Sequence, residues 1–486
     1  MAAQRALHPS LDTVRSIVDR PHAGPGKKPT LVPVYRQISS DLITPSAAYL
    51  KISAHSSSDF SFLFESAATE QVGRYSFVGA GPRKVLTTGP GHGPATDPLP
   101  ALEEELARHV VAHVPDLQLP PLTGGAIGYV GYDCVRYFEP KTARPMKDVL
   151  EIPESLFMLF DTIVAFDRFF GVIKVISYVN VPEHGSSTTL DEGLRKGPRH
   201  RRRARRVLGQ EAKSNIGREG YEAHVTKLKE HIVRGDIFQA VPSQRFARPT
   251  SLHPFNIYRH LRTVNPSPYL FYVDCKDFQI VGASPELLVK SEAGRIITHP
   301  IAGTVKRGKT PEEDQKLADE LSSSLKDRAE HVMLVDLARN DINRVGDPSQ
   351  RPAAGQDEIR RLPFRLPCRH GLRSPKVRAM ELIAELEKEK RGIYAGAVGY
   401  FGYGSEDEKG NPVEGAMDTC IALRTMMTKD GVAYLQAGGG IVFDSDEYDE
   451  WMETLNKLGA NMSCIKSAEE LYHQQQQQEA AKAAAR

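Results

Sequence analysis

Between residues 30 and 180 the chain alternates short apolar runs with turn residues. "YLKIS", "FSFLFES", "YSFVGAGP", "GGAIGYVGYDCVRYF" and "LFMLFDTIVAFDRFFGVIKVISYV" have the composition of β-strands. The last, broken at Asp161, Asp167 and Gly171, predicts consecutive antiparallel strands. "GPGHGPATDPLP" predicts a loop, followed by a helix around Ala101–His113. Residues 183–218 lose the apolar rhythm and form a polar, basic linker.

From Tyr221 the pattern resumes. "YEAHVTKLKEHIVRGDI" and "HPFNIYRHLRTV" have helical spacing, and "FQAVPSQRFAR" lies between them as a strand. "YLFYVDC", "FQIVGAS" and "LLVKSE" predict a three-strand meander. Helices are expected at Pro311–Leu325, Arg328–Asn340 and Val377–Lys388. "GAVGYFGYG", "DTCIALRTMMTK" and "GVAYLQAGGGIVFDS" are the closing strands, before a helix from Asp446 into the 460s. Adjacent strands with flanking helices predict an α+β protein with a large antiparallel sheet assembly. The tail "HQQQQQEAAKAAAR" (within 471–486) is low in complexity and expected to fray.

Composition changes this picture little. With 40% apolar and 26% charged residues and a net charge of +2, the chain has a soluble globular profile and no preferred partner class. Five cysteines without paired spacing fit a reducing compartment. No apolar export core or run of ~20 apolar residues is present, so a cytoplasmic protein is expected. The run Arg199–Arg206 offers a nucleic-acid reading, but it lacks aromatic platforms and a groove-reading motif.

The chemistry concentrates near the end. In "SDEYDEWMETLNKLGAN", Glu450, Glu453 and Lys457 fall at i, i+3 and i+7 on one helical face. A solvated stripe with an i,i+4 ion pair explains that spacing as well as a site does. The preceding "GGGIVFDSD" lets backbone amides approach an anion at a helix start. Glu330, in "LKDRAEHVMLVDLARND", is a further carboxylate. Three converging carboxylates would suit Mg²⁺, a hard ion that keeps some waters.

Six motifs in fixed order carry a resemblance: "GDIFQAVPSQRF", "GASPELLV", "HPIAGTVKRG", "RAEHVMLVDLARND", "AGAVGYFGY" and "AGGGIVFDSDEYDEWMETLNK". Together they resemble the chorismate-binding catalytic module of the anthranilate synthase component I family, through Gly217–Asp347 and Lys376–Cys464. "FLFESAATEQVGRYSFVG" is similar to the family's regulatory region.

The resemblance implies an α+β fold in which two large antiparallel sheets pack as a sandwich with helices outside. It implies a regulatory region over 1–182, the linker 183–218, and a catalytic region over 219–470. It also implies conversion of chorismate and ammonia to anthranilate and pyruvate with Mg²⁺, held by Glu330, Glu450 and Glu453. Glu286 matches the general acid that protonates the departing 4-hydroxyl, a role requiring a raised pKa. Thr304, Tyr394, Arg424 and the amides of Gly438, Gly439 and Gly440 resemble the pocket for the substrate's carboxylates and ether oxygen. Lys457 would help neutralise the site. Gln239 stands where water-adding relatives place a lysine, and a neutral amide cannot be that base. Glu65, Ser66 and "NPSPY", with Pro266, Ser267 and Tyr269, match a site for the inhibitor L-tryptophan; alone, "NPSPY" reads as a turn. No amidotransferase nucleophile turn is present, so ammonia is expected from solution or from a glutamine amidotransferase partner, component II.

The resemblance stops within 348–375. The family's histidine-bearing "HVQHLVS"-like motif and "FPAGTVSGAPK" are missing there. Codons compatible with Pro352–Arg373, read from their second base, encode "LRPGKTRFDAFRSAFPAGTVSG", ending where the family carries "FPAGTVSG". A frame error restored near Ser374, with a preceding piece lost, accounts for this. Cys368 and His370 lack further ligands at suitable spacing and are poor metal candidates. Competing readings are aminodeoxychorismate synthase component I, and a catalytically impaired tryptophan-binding homologue.

Overall fold

The computed structural model describes residues 7–19, 26–66, 73–181, 209–292, 294–301, 305, 308–345 and 376–484. The aberrant 349–374 segment, the basic run Arg195–Arg206 and Thr304 lie outside them.

Two sheets, one of 15 strands and one of 7, contain every strand among the described residues, and each mixes strands from both sides of the 183–218 linker. In the larger sheet the strand Phe60–Glu65 pairs with Tyr269–Cys275, Leu270 opposite Glu65. In the smaller, Gly125–Val130 pairs with Ala397–Gly402. The two regions therefore share their sheets and their core. Pairing is antiparallel except where the short strand Val110–Val111 runs parallel to its neighbours.

Period-two alternation explains the layering, because successive strand residues face opposite sides of a sheet. Phe62, Phe77, Phe271, Val273, Ile280 and Met427 of the large sheet meet Ile127, Met158, Val398 and Tyr400 of the small one. Their chain neighbours Leu63, Val78, Leu270, Tyr272, Val281 and Met426 point outward. There they pack under the helices Pro45–His55, Pro254–Val264 and Glu447–Ala484. The helix Leu99–Leu106 covers the far face of the small sheet. This is the expected sandwich with helices outside.

Four expectations change. "YLKIS" is helical, inside Pro45–His55: Thr44 caps it by accepting from the Ala47 N–H, and Pro45 occupies the first turn. The tail continues the Glu447–Ala484 helix, consistent with the high helix propensity of Ala, Gln, Glu and Lys. The meander is only a hairpin, because Phe278–Ser284 stays in the large sheet while Leu287–Glu292 pairs with Met417–Ile421 in the small one. "DTCIALRTMMTK" splits in the same way, Met417–Ile421 in one sheet and Thr425–Lys429 in the other. Strands that switch sheets turn at corners, and Glu286 and Arg424 sit at these two. Among the described residues, no helix is long and apolar enough to cross a membrane.

Candidate active site

The corners are tied together. The Ile421 N–H donates to the Glu286 carbonyl at 3.2 Å, and the Ala283 N–H donates to the Arg424 carbonyl at 3.3 Å. Arg424 adopts φ 50°, a conformation costly for a residue with a Cβ. Its guanidinium pKa is lowered by burial, while Tyr394 and Glu453 act against that shift. Glu286 is buried, 3% exposed.

The strand Val432–Gly438 ends beside these corners. A bridge between Ala240 and Ile441 then sets Gln239 beside Gly440. A Cβ on Gly440 would stand 2.4 Å from Gln239 Nε2, so a larger residue there would displace that amide. Gln239 is buried, and among the described residues its Oε1 has no hydrogen-bond partner.

Gly439 is hemmed in from the other side. A Cβ there would meet Glu450 Oε2 at 2.4 Å, Glu453 Oε2 at 3.3 Å and the Tyr221 hydroxyl at 3.4 Å. The Gly439 N–H donates to the Tyr221 hydroxyl at 2.9 Å. The Ser445 hydroxyl donates to Glu450 Oε1 at 2.6 Å, whereas Oε2 is buried and reached by no donor among the described residues. Burial, with the Glu453 carboxylate nearby, pushes the Glu450 pKa up to about 7, although Ser445 and Lys457 oppose this. Lys457 Nζ lies 2.7 Å from Glu453 Oε1 and donates to the Gly438 carbonyl at 2.9 Å. The i,i+4 ion pair therefore forms, and it also closes onto the glycine run.

Tyr394 completes the cluster. Burial pushes its phenol up to about 12, against the opposing influence of Arg391 and of a backbone hydrogen bond with Gly438. Gln239, Tyr394, Arg424, Gly438, Gly439, Gly440, Glu450, Glu453 and Lys457 thus form one contiguous group of contacts and charges.

Glu330 does not complete a metal-holding group with Glu450 and Glu453 among the described residues. It lies on the helix Leu325–Val345, and among the described residues no three His, Cys, Asp or Glu side chains form a metal-holding group. That helix leaves Val332, 66% exposed, and Val335 on its surface although both belong to its apolar run.

The second candidate site also assembles. Glu65 is 4% exposed, accepts a 2.7 Å hydrogen bond from Tyr258, and has Arg168 and Arg262 each 3.6 Å from Oε1. Arg168 donates to the Ser66 carbonyl at 2.6 Å. The Ser267 hydroxyl donates to the Ser284 carbonyl, two residues before Glu286. Tyr269 donates to Asp418 Oδ1 at 3.0 Å; Pro266 lies in the turn before it.

Sequence reasoning missed Tyr221 and Ser445, which hold Gly439 and Glu450. Neither carries a motif signal of its own: Tyr221 opens the helical run "YEAHVTKLKEHIVRGDI", and Ser445 precedes the helix expected from Asp446. Only their positions beside the glycine run reveal the contacts.

Comparison with known proteins places this geometry. A family model described as "chorismate binding enzyme" matches residues 59–363 and 374–463. The chain belongs to that family of chorismate binding enzymes. It is 52% identical to anthranilate synthase component 1 of Saccharomyces cerevisiae, over 97% of this chain and 99% of that one. It is 49% identical to a probable anthranilate synthase component 1 of Schizosaccharomyces pombe, over 96% and 98%. The crystal structure of anthranilate synthase component I from Streptococcus pneumoniae superposes with a TM-score of 0.66 at 31% identity, covering 87% of this chain and 99% of that one.

The family match breaks at 364–373, within the segment whose composition departs. The Saccharomyces cerevisiae alignment spans 518 positions against a chain of 486 residues, so part of that relative faces gaps in this chain.

Proposed function

We propose that this chain works as an anthranilate synthase component 1, a lyase that converts chorismate and ammonia to anthranilate, pyruvate and water. The near-full-length 52% identity to a relative of that name carries the reading. The site geometry supports it.

Glu450 and Glu453 would hold Mg²⁺. Glu450, whose pKa is raised by burial and which has a buried oxygen that no described donor reaches, forms with the Glu453 carboxylate a hard oxygen-donor pair that a divalent cation would complete. Bound magnesium supplies positive charge against the substrate's carboxylates. Glu330, on the Leu325–Val345 helix, is the third carboxylate proposed for the ion.

The remaining roles fall to the residues themselves. Arg424 would pair with a substrate carboxylate, and the amide of Gly440 would donate to its oxygens, joined by those of Gly438 and Gly439 once they exchange Tyr394 and Tyr221 for the substrate. Tyr394 would orient the ring, with Thr304 as a further binding group. Glu286 would pass a proton to the departing 4-hydroxyl, which leaves as water while ammonia adds. Pyruvate then leaves with the ether oxygen as the ring loses a proton. Lys457 offsets the negative charge. Gln239 cannot take a proton from water, so ammonia is the nucleophile.

A glutamine amidotransferase subunit would supply the ammonia, and L-tryptophan bound near Glu65, Ser66, Pro266, Ser267 and Tyr269 would inhibit. A reducing cytoplasmic setting accords with Cys134, Cys275, Cys420 and Cys464, all buried and free.

Incubation with chorismate, Mg²⁺ and ammonium tests the reading. Fluorescent anthranilate, confirmed by chromatography, is expected; an aminodeoxychorismate product overturns it. One observation favours a second reading, a catalytically impaired homologue: among the described residues Glu330, Glu450 and Glu453 form no metal-holding group, and the family match breaks at 364–373. Tryptophan binding without chorismate turnover would decide for that reading.

A further inference from the structure

Arg391 has no role in the chemistry above, yet three segments of the pocket meet on it. It is 4% exposed and follows the helix Lys376–Glu387. Its Nε donates to Glu387 Oε2 at 2.8 Å, and its Nη2 donates to Glu387 Oε1 and to the Val241 carbonyl, both at 2.6 Å. Glu387 Oε1 also accepts from the Ser243 N–H at 2.7 Å and from its hydroxyl at 2.9 Å. Ser243 is the ladder partner of Gly438. The guanidinium carbon lies 5.6 Å from the centre of the Tyr394 ring and 4.5 Å from that of Tyr132. The backbone is held as well. Asp133 accepts from the Arg391 N–H at 3.2 Å and from the Gly392 N–H at 2.7 Å.

We infer that Arg391 is a positioning residue for the chorismate pocket, locking the Gln239–Ser243 segment, Tyr394 and the Gly438 strand end into one arrangement through Glu387. The inference rests on the function proposed above. A buried cation is a costly way to fill space, and apolar side chains of similar volume would often serve stability as well. What the guanidinium adds is a planar fork. It binds both oxygens of one carboxylate, reaches a carbonyl, and stacks on two rings, whereas a lysine ammonium makes point contacts only. Asp133 and Tyr132 come from the N-terminal region, so that region helps set the pocket's shape.

The test compares the full chain with Arg391→Lys, Arg391→Met and Glu387→Gln. Chorismate binding is measured by calorimetry, turnover with ammonium as the nucleophile, and thermal unfolding without ligand. Arg391→Lys is expected to weaken chorismate binding about 10-fold and Arg391→Met about 100-fold, the scale of a ~1 Å misplacement of binding groups. KM should rise more than kcat falls, and the melting temperature of Arg391→Lys should stay within a few degrees of the parent. A parental KM and affinity in Arg391→Lys and Glu387→Gln overturn the inference. Affinity lost only in step with melting temperature does so too. If Arg391→Met does not fold, the other two variants decide. A parent chain that fails to bind chorismate overturns the proposed function, and this inference with it.

Discussion

Gly439 and Glu450 occupy complementary space: a Cβ on the glycine would stand 2.4 Å from the glutamate's Oε2. A carboxylate and a methyl group cannot share that position, so Gly439→Ala must displace Glu450, Glu453 or the glycine strand. Displacement of about 1 Å at a reacting centre costs roughly 100-fold in rate. That loss in kcat/KM is expected for Gly439→Ala, with unfolding temperature little changed. Steady-state kinetics and calorimetric melting measure the two.

Ser445 orients Glu450 through its 2.6 Å hydrogen bond. Groups that hold a metal ligand typically affect metal affinity by about 10- to 100-fold. Ser445→Ala should raise the Mg²⁺ concentration for half-maximal activity by that factor and leave the maximal rate nearly intact. An unchanged Mg²⁺ titration would remove Ser445, and weaken Glu450, as parts of a metal site.

For Glu286, a change to Gln keeps the shape and removes the proton. As a general acid Glu286 is expected to contribute about 10²- to 10⁴-fold, so kcat should fall by that range while chorismate still binds. Equal loss of binding and turnover in Glu286→Gln would mark a structural role instead.

Asp418 links the two sheets by accepting the Tyr269 hydroxyl, and burial pushes its pKa up to about 6, with Glu292 adding to the rise while Lys290 and Tyr269 oppose it. The folded state therefore holds this proton more tightly than the unfolded chain. Asp418 favours folding most at low pH, and that contribution is lost as pH rises from about 4 to about 6. The loss amounts to roughly 3 kcal/mol. Asp418→Asn should flatten this part of the stability–pH curve, measured by urea unfolding across pH 4–7.

Transcript sequencing addresses the aberrant segment. The expected message encodes "FPAGTVSG" directly before "APK", preceded by residues absent from this chain. A chain restored in this way should bring Glu330 to Glu450 and Glu453 and raise turnover. An in-frame "PCRHGLRSPK" message would eliminate the frame error.

Much of the molecule was legible along the chain. Strand periodicity located the Tyr269–Cys275 and Phe278–Ser284 hairpin, because alternation reflects which face each residue buries. The ordered motifs marked Gln239, Glu286, the three glycines, Glu450, Glu453 and Lys457, and the family resemblance added Tyr394 and Arg424; most of these the fold gathers. "YLKIS" misled because Ile and Tyr favour strands locally, and the Thr44 cap with Pro45 in the first turn, five residues before Tyr49, overrode them.

What the sequence determined by itself is local: which segments form strands and helices, and which residue types could bind a dianion or a metal. Tertiary structure decided which of two sheets each strand joins, since leaving one ladder for another depends on partners hundreds of residues away. That choice put Glu286 and Arg424 at adjacent corners. Tertiary structure alone revealed Arg391 at the junction of three pocket segments, for a salt bridge and two ring contacts leave no period in the sequence. It also left Glu330, Glu450 and Glu453 without a shared metal-holding group among the described residues, which helical spacing within one segment cannot decide.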